Sequence, residues 1–274
     1  MNRWAVILIA AWPLGARGEL EWLPQPTPVV FAGVPQAVPS IIRNRADIAV
    51  RQEIRGRVTQ LSSSTQMPLP LVEPRKRIEV LPGQTVIETV TVTLPSVNAN
   101  TRFRIHWMDE AGRWLGASEV IGCPDNTLEQ LKAAGAAQTI HLHDPEGVFE
   151  PLFAQGKVRH ETLRSRADVD AVKHGLVLIA PFEMGARDRE DFATKLAKKA
   201  GEAGVAVVWF RAPDHRLTIP APVWLASHGA GTLVVAPGLL VADLKDSAAA
   251  QVNLIQCVEL ALKPARFGLI LEGQ

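Results

Sequence analysis

Residues 119–131 read EVIGCPDNTLEQL, and the period of the apolar residues changes inside this stretch, around Pro124. Upstream, apolar and polar residues alternate, the pattern of half-buried strands. Downstream, short apolar runs alternate with helix-spaced segments. The chain therefore reads as an all-β sandwich domain over residues 19–124, followed by an α/β domain over 125–274.

Three stretches carry the β reading. Residues 48–58, IAVRQEIRGRV, put Ile48, Val50, Ile54 and Val58 on one face. Residues 84–94, QTVIETVTVTL, put Val86, Val90, Val92 and Leu94 on one face and threonines on the other. Residues 102–107, RFRIHW, turn Phe103, Ile105 and Trp107 inward. Pro82-Gly83 and Asp109–Gly112 supply turns, and Pro24, Pro26, Pro28, Pro35 and Pro39 keep the entry extended. The stretch IEVLPGQTVIETVTVTLP (78–95), with RNRADIAVRQEIRGRV (43–58) ahead of it, resembles the bacterial immunoglobulin-like adhesion domains of the CARDB-like group. That resemblance covers about a hundred residues. It implies a scaffold or interaction module and brings no catalytic residue.

Beyond Pro124, LVLIA (176–180), VAVVWF (205–210) and TLVVA (232–236) are nearly continuous apolar runs, which suit central strands of a parallel sheet covered on both faces. Thr139–His143 and Val158–Thr162 are further candidate strands. A helix is expected from Asp125 or Asn126. In residues 188–203, Phe192, Leu196 and Ala200 share a face; in 246–262, Leu254, Val258 and Leu262 do, with Asp246 or Ser247 as cap. Right-handed crossovers then give a doubly wound, flavodoxin-like parallel sheet. The runs LVLIAP, VAVVWF and GTLVVAP resemble the class I glutamine amidotransferase-like variants of this fold, which occur behind immunoglobulin-like modules in bacterial envelope proteins. Those enzymes need a nucleophilic Cys in a G-x-C-x-G elbow. This chain has only Cys123, beside a proline, and Cys257, inside a predicted helix. A relative without the thiol implies a catalytically silent member.

Residues 1–18 have the parts of a secretory signal peptide: Arg3, the apolar run Trp4–Trp12, and small residues ahead of a cleavage after Gly18. Export to a periplasm or the exterior is the expectation, with no membrane span elsewhere. The net charge is +1, and removing the leader takes Arg3 and Arg17 and leaves −1. Such a balance gives no electrostatic reason for a nucleic-acid partner.

The leading candidate site is IHLHDPEG, residues 140–147. His141 and His143, two apart on a strand, share a face, and Asp144 and Glu146 follow at its carboxyl end. His141, His143 and Asp144 form a donor set for zinc or another divalent ion, with His215 or His228 available to complete it. The other reading is a packed imidazole beside solvated loop residues. The Pro-rich stretch 211–230, with Trp224, is either a functional loop or a plain connection. Trp114 and Trp224 are candidate platforms for a carbohydrate, against a packing role for Trp107 and Trp114. In an exported chain Cys123 and Cys257 form either one disulfide or two buried free thiols. The reading is a non-catalytic envelope protein that binds another envelope protein or a small ligand, without cofactor. Its rivals are a metal-dependent hydrolase using one divalent ion at His141, His143 and Asp144, and a carbohydrate-binding protein.

Overall fold

The computed structural model describes residues 20–62, 65–70, 73–203, 205–212, 224–228 and 231–263, the side chains of 202–203 and 224–228 excepted. Residues 1–18, the expected leader, and His215 lie outside the described residues. In chain order the strands of the first part are β1 (Leu20–Leu23), β2 (Val29–Phe31), β3 (Pro35–Asn44), β4 (Val50–Leu61), β5 (Gln66–Pro68), β6 (Arg75–Val80), β7 (Thr85–Thr93), β8 (Thr101–Met108) and β9 (Trp114–Cys123). There follow α1 (Thr127–Ala137), β10 (Ile140–His143), α2 (Glu150–Gly156), β11 (Glu161–Thr162), α3 (Arg166–Ala171), β12 (Leu176–Ile179), α4 (Ala186–Ala203), β13 (Ala206–Arg211), β14 (Trp224–His228), β15 (Gly231–Pro237) and α5 (Ala248–Leu262). Two compact units result. Among the described residues, the first draws on 20–28, 35–94 and 101–121, and the second on 29–34, 95–100 and the stretch from Gly122 to Lys263.

The first unit is a β domain. One antiparallel sheet runs β1-β3-β7; in another, β9, β8, β4 and β5 follow in order and β6 also pairs with β4. Phe103, Ile105 and Trp107 are fully buried, as their alternation with Arg102, Arg104 and His106 requires. The buried sides of the two sheets meet through the stacked rings of Trp22 and Trp107, 6.4 Å apart, and through the Ser40 and Ser118 hydroxyls at 2.9 Å. Gly116 of β9 allows this close approach: a Cβ there would lie 2.7 Å from the Trp22 ring of β1. Pro35 and Pro39 fall in β3 where only β7 pairs with it, since β1 covers positions 41–44 alone.

One facial assignment fails. Ile48 is 65% exposed and lies ahead of β4. The Asn44 side chain accepts the Ala46 N–H at 2.8 Å and donates to Ile48 O at 2.8 Å, so the chain bends before the strand begins.

The second unit is an α/β domain. Its sheet runs β11-β10-β12-β13-β15-β14, with five parallel strands and an antiparallel edge, β14. Strand β12 is buried at all four positions. Leu142, Leu178, Phe210 and Val234 pack on one face with Leu131 of α1, Leu152 and Phe153 of α2 and Leu254 of α5. Val177, Ile179, Val207 and Leu233 pack on the other with Val169 of α3 and Phe192, Leu196 and Ala200 of α4. The continuous apolar runs are therefore strands with a helix layer on each side.

Boundaries differ locally from the expectations. Strand β11 keeps only Glu161–Thr162 of the expected 158–162. Helix α4 begins at Ala186, and α5 begins after Ser247, whose hydroxyl accepts the Ala250 N–H at 3.2 Å. Asn126 stands at the N-cap of α1 but makes no cap bond; its Oδ1 accepts from Gln130 Nε2 at 2.7 Å. The expected loop 211–230 contains β14, which pairs residue by residue with β15 from Trp224–Val235 to His228–Gly231. Among the described residues no helix is long and apolar enough to cross a membrane.

Candidate functional site

The parallel strands bring the carboxyl ends of β10, β12, β13 and β15 to one edge, where open α/β sheets bind ligands. His141 and His143 project from β10 to the α3–α4 face and are both buried. Each ring already holds a distant backbone carbonyl. His143 donates Nδ1–H to Leu163 O at 2.9 Å and packs edge-on against Phe182 at 5.2 Å. His141 donates Nε2–H to His174 O at 3.1 Å. Its buried Nδ1 lies 3.1 Å from Glu161 Oε2 without hydrogen-bond alignment, so proximity alone links those two groups.

Asp144 is engaged more fully. Its Oδ1 accepts the N–H of Val148 at 2.8 Å, and its Oδ2 accepts those of Phe149 at 2.7 Å and Glu150 at 3.0 Å. The carboxylate thus satisfies amides at the entry of α2, which would otherwise lack partners. Glu146 Oε1 accepts the Glu183 N–H at 3.1 Å and ties the loop after β10 to the loop after β12. Among the described residues no three His, Cys, Asp or Glu are gathered to hold a metal ion. In the structure Asp144 fastens the start of α2, and His141 and His143 each spend one ring nitrogen on a backbone carbonyl.

Of the remaining candidates, Trp224 and His228 are placed only as backbone positions of β14. Trp114 opens β9 and is 68% exposed, while Trp107 is buried and donates Nε1–H to Ser118 Oγ at 3.0 Å. Cys123 and Cys257 are both free and buried. Cys123 packs with Phe31 and Ala248 and donates Sγ–H to Val30 O at 3.2 Å, whereas Cys257 belongs to the core beneath α5. Burial pushes each thiol up to about 11, so neither is a thiolate nucleophile near neutral pH.

The edge also carries a cleft that residue spacing does not reveal. A cavity of about 440 Å³ opens between the first turns of α4 and the ends of β13 and β15. Arg189 and Glu190 of α4, Trp209 and Arg211 of β13, and Val235 of β15 line it. The Arg211 guanidinium carbon sits 6.0 Å from the centre of the Trp209 ring. Its Nε is covered and has no hydrogen-bond partner among the described residues. Trp209 is held edge-on by Phe192 at 5.4 Å, and Arg189 donates to Met184 O at 3.1 Å. The period-two register of VAVVWFR contains the signal in retrospect, since Trp209 and Arg211 share a face.

No protein-family model matches the chain, and a search of curated proteins returns no match. Among solved structures the chain is similar over part of its length to a β-glucosidase from Listeria innocua, at 18% identity, 38% of this chain, 16% of that chain and a TM-score of 0.28. It is similar to the alkylpurine DNA glycosylase AlkC of Pseudomonas fluorescens at 12% identity, 38% and 30% coverage and a TM-score of 0.28. The sporulation control protein Spo0M of Bacillus subtilis gives 11% identity, 43% and 54% coverage and a TM-score of 0.27. The chain thus spans well under two thirds of each of these proteins, and likenesses at this level assign neither a fold nor an activity to it.

Proposed function

We propose that the protein is a non-catalytic binding module exported to the cell envelope. In this reading residues 1–18 are a cleaved leader, the β unit is an immunoglobulin-like sandwich serving as spacer or docking surface, and the α/β unit takes a small anionic ligand at its carboxyl edge. The spatial order β11-β10-β12-β13-β15 supports a flavodoxin-like relationship, because it is the 2-1-3-4-5 order of that fold. The protonated, buried thiols support a silent relative of the amidotransferase-like domains.

The observation that carries the reading is Arg211. A guanidinium laid over Trp209 at the rim of an open cleft, its Nε without a partner among the described residues, has capacity for a carboxylate or phosphate. Calorimetric titration with citrate, benzoate and inorganic phosphate tests it. At least one should saturate with a Kd of about 1 mM or tighter, and Arg211→Gln should weaken it by about tenfold. Failure of all three to bind overturns the anionic reading. About one zinc per chain, lost in His141→Ala, would instead favour the metal-dependent hydrolase.

A further inference from the structure

We propose that the second unit carries another, separate site, a cleft for a neutral polyhydroxylated ligand, a saccharide. The cleft has a volume of about 620 Å³, within the roughly 300–1,000 Å³ usual for small-molecule sites. It lies between the start of α1, the outer face of α5 and the stretch 98–100, all parts of the second unit.

Its chemistry differs from that of the arginine cleft. Four of the six asparagines in the chain line it, Asn98, Asn100, Asn126 and Asn253, together with Gln130 and Gln256. Each carboxamide offers donors and an acceptor in one plane, and a pair of adjacent hydroxyls both gives and takes a hydrogen bond. Among the described residues Glu259 is the one charged residue in the lining, and none of them is a cation to meet a phosphate or carboxylate. Leu240, Val252 and Leu260 give the cleft an apolar wall on which the C–H face of a sugar ring can lie.

Two of the amides are already oriented. Asn253 donates Nδ2–H to Leu240 O at 3.1 Å, which fixes its Oδ1 as an acceptor. Asn126 accepts at Oδ1 from Gln130 Nε2 at 2.7 Å, which leaves its own amino group as a donor. A positioned donor and a positioned acceptor on facing elements lower the ordering cost of binding. Asn253 also sits inside α5, where asparagine is a poor helix former, so the local sequence is not chosen for helicity at that point.

The test is a titration of the full chain with cellobiose and N,N′-diacetylchitobiose, followed in amide spectra that resolve the side-chain NH2 groups. The expected result is saturable shifts of the Asn98, Asn100, Asn253 and Gln256 amides, with a Kd of about 1 mM. Asn98→Ala and Gln256→Ala, both on the surface, should together weaken binding by about tenfold or more, while Arg211→Gln leaves it unchanged. The inference is overturned by no saturable shift with either disaccharide, by shifts confined to other residues, or by binding that survives both substitutions. Since Arg211→Gln is the variant that disables the anionic cleft, loss of one site does not mimic loss of the other.

Discussion

Asp144 Oδ2 accepts the backbone N–H of Phe149 at 2.7 Å, and with its partner oxygen on Val148 the carboxylate closes the loop between β10 and α2. Phe149 is fully buried between the rings of Phe153 and Phe210. The acidic residue and the aromatic core are therefore one structural unit. Asp144→Ala is expected to destabilise the protein by about 1–2 kcal/mol, as loss of a capping carboxylate does, and Asp144→Asn by less. Urea unfolding of the three proteins measures this.

In the β unit, Ser118 Oγ joins two buried groups, accepting from Trp107 Nε1 at 3.0 Å and sharing a 2.9 Å hydrogen bond with Ser40. Ser118→Ala strands both. The expected cost is about 1–3 kcal/mol, read as a lower urea midpoint with an unchanged slope.

Asp109 opens the turn between β8 and β9. Burial alone would raise its carboxyl, but the Arg113 backbone N–H, the Arg113 guanidinium and the Ala111 backbone outweigh that and hold it below its ordinary value of 3.8. Because the folded value is depressed, this contribution is fully present above about pH 4 and is lost as pH falls through the folded value. Asp109→Asn should flatten the acid limb of the stability profile and leave its slope near neutral pH unchanged. Stability measured by urea unfolding from about pH 2 to about pH 7, across the carboxylate titration range, checks it.

Gly231 begins β15 against the end of α4. A Cβ there would lie 2.2 Å from Ala200 O and 2.7 Å from Val205 O, both backbone atoms that cannot swing aside. Gly231→Ala is expected to cost about 1–3 kcal/mol or more through displacement of the strand. A thermal melt with a lowered midpoint is the readout.

The parts of this molecule legible in its sequence are those decided by neighbours along the chain. LVLI is buried at every position because a run without polar breaks suits only a strand covered on both sides. RFRIHW alternates because its sheet has one dry face. His141 and His143 share a face of β10 by strand period, but their hydrogen bonds go to carbonyls 33 and 20 residues away, which only the folded sheet brings near. Strand β14 follows a Pro-rich stretch and forms by pairing with β15, so its extended state comes from a partner more than from its own composition. Ile48 fits the period of β4 by count, yet the Asn44 side chain bends the chain before that period starts. The Arg211–Trp209 cleft needed the packing of α4 to exist at all.

The two thiols carry a consequence for the life of the chain. Buried and protonated, Cys123 and Cys257 resist oxidants and alkylating agents for as long as the native state persists. An unfolded chain loses that shelter, because both sulfurs then regain an ordinary, more acidic thiol and free access to each other and to other chains. In oxidising surroundings folding is thus a race against cross-linking, and the native fold itself serves as the protecting group. A slow-folding variant would be lost to mixed disulfides before its equilibrium stability mattered.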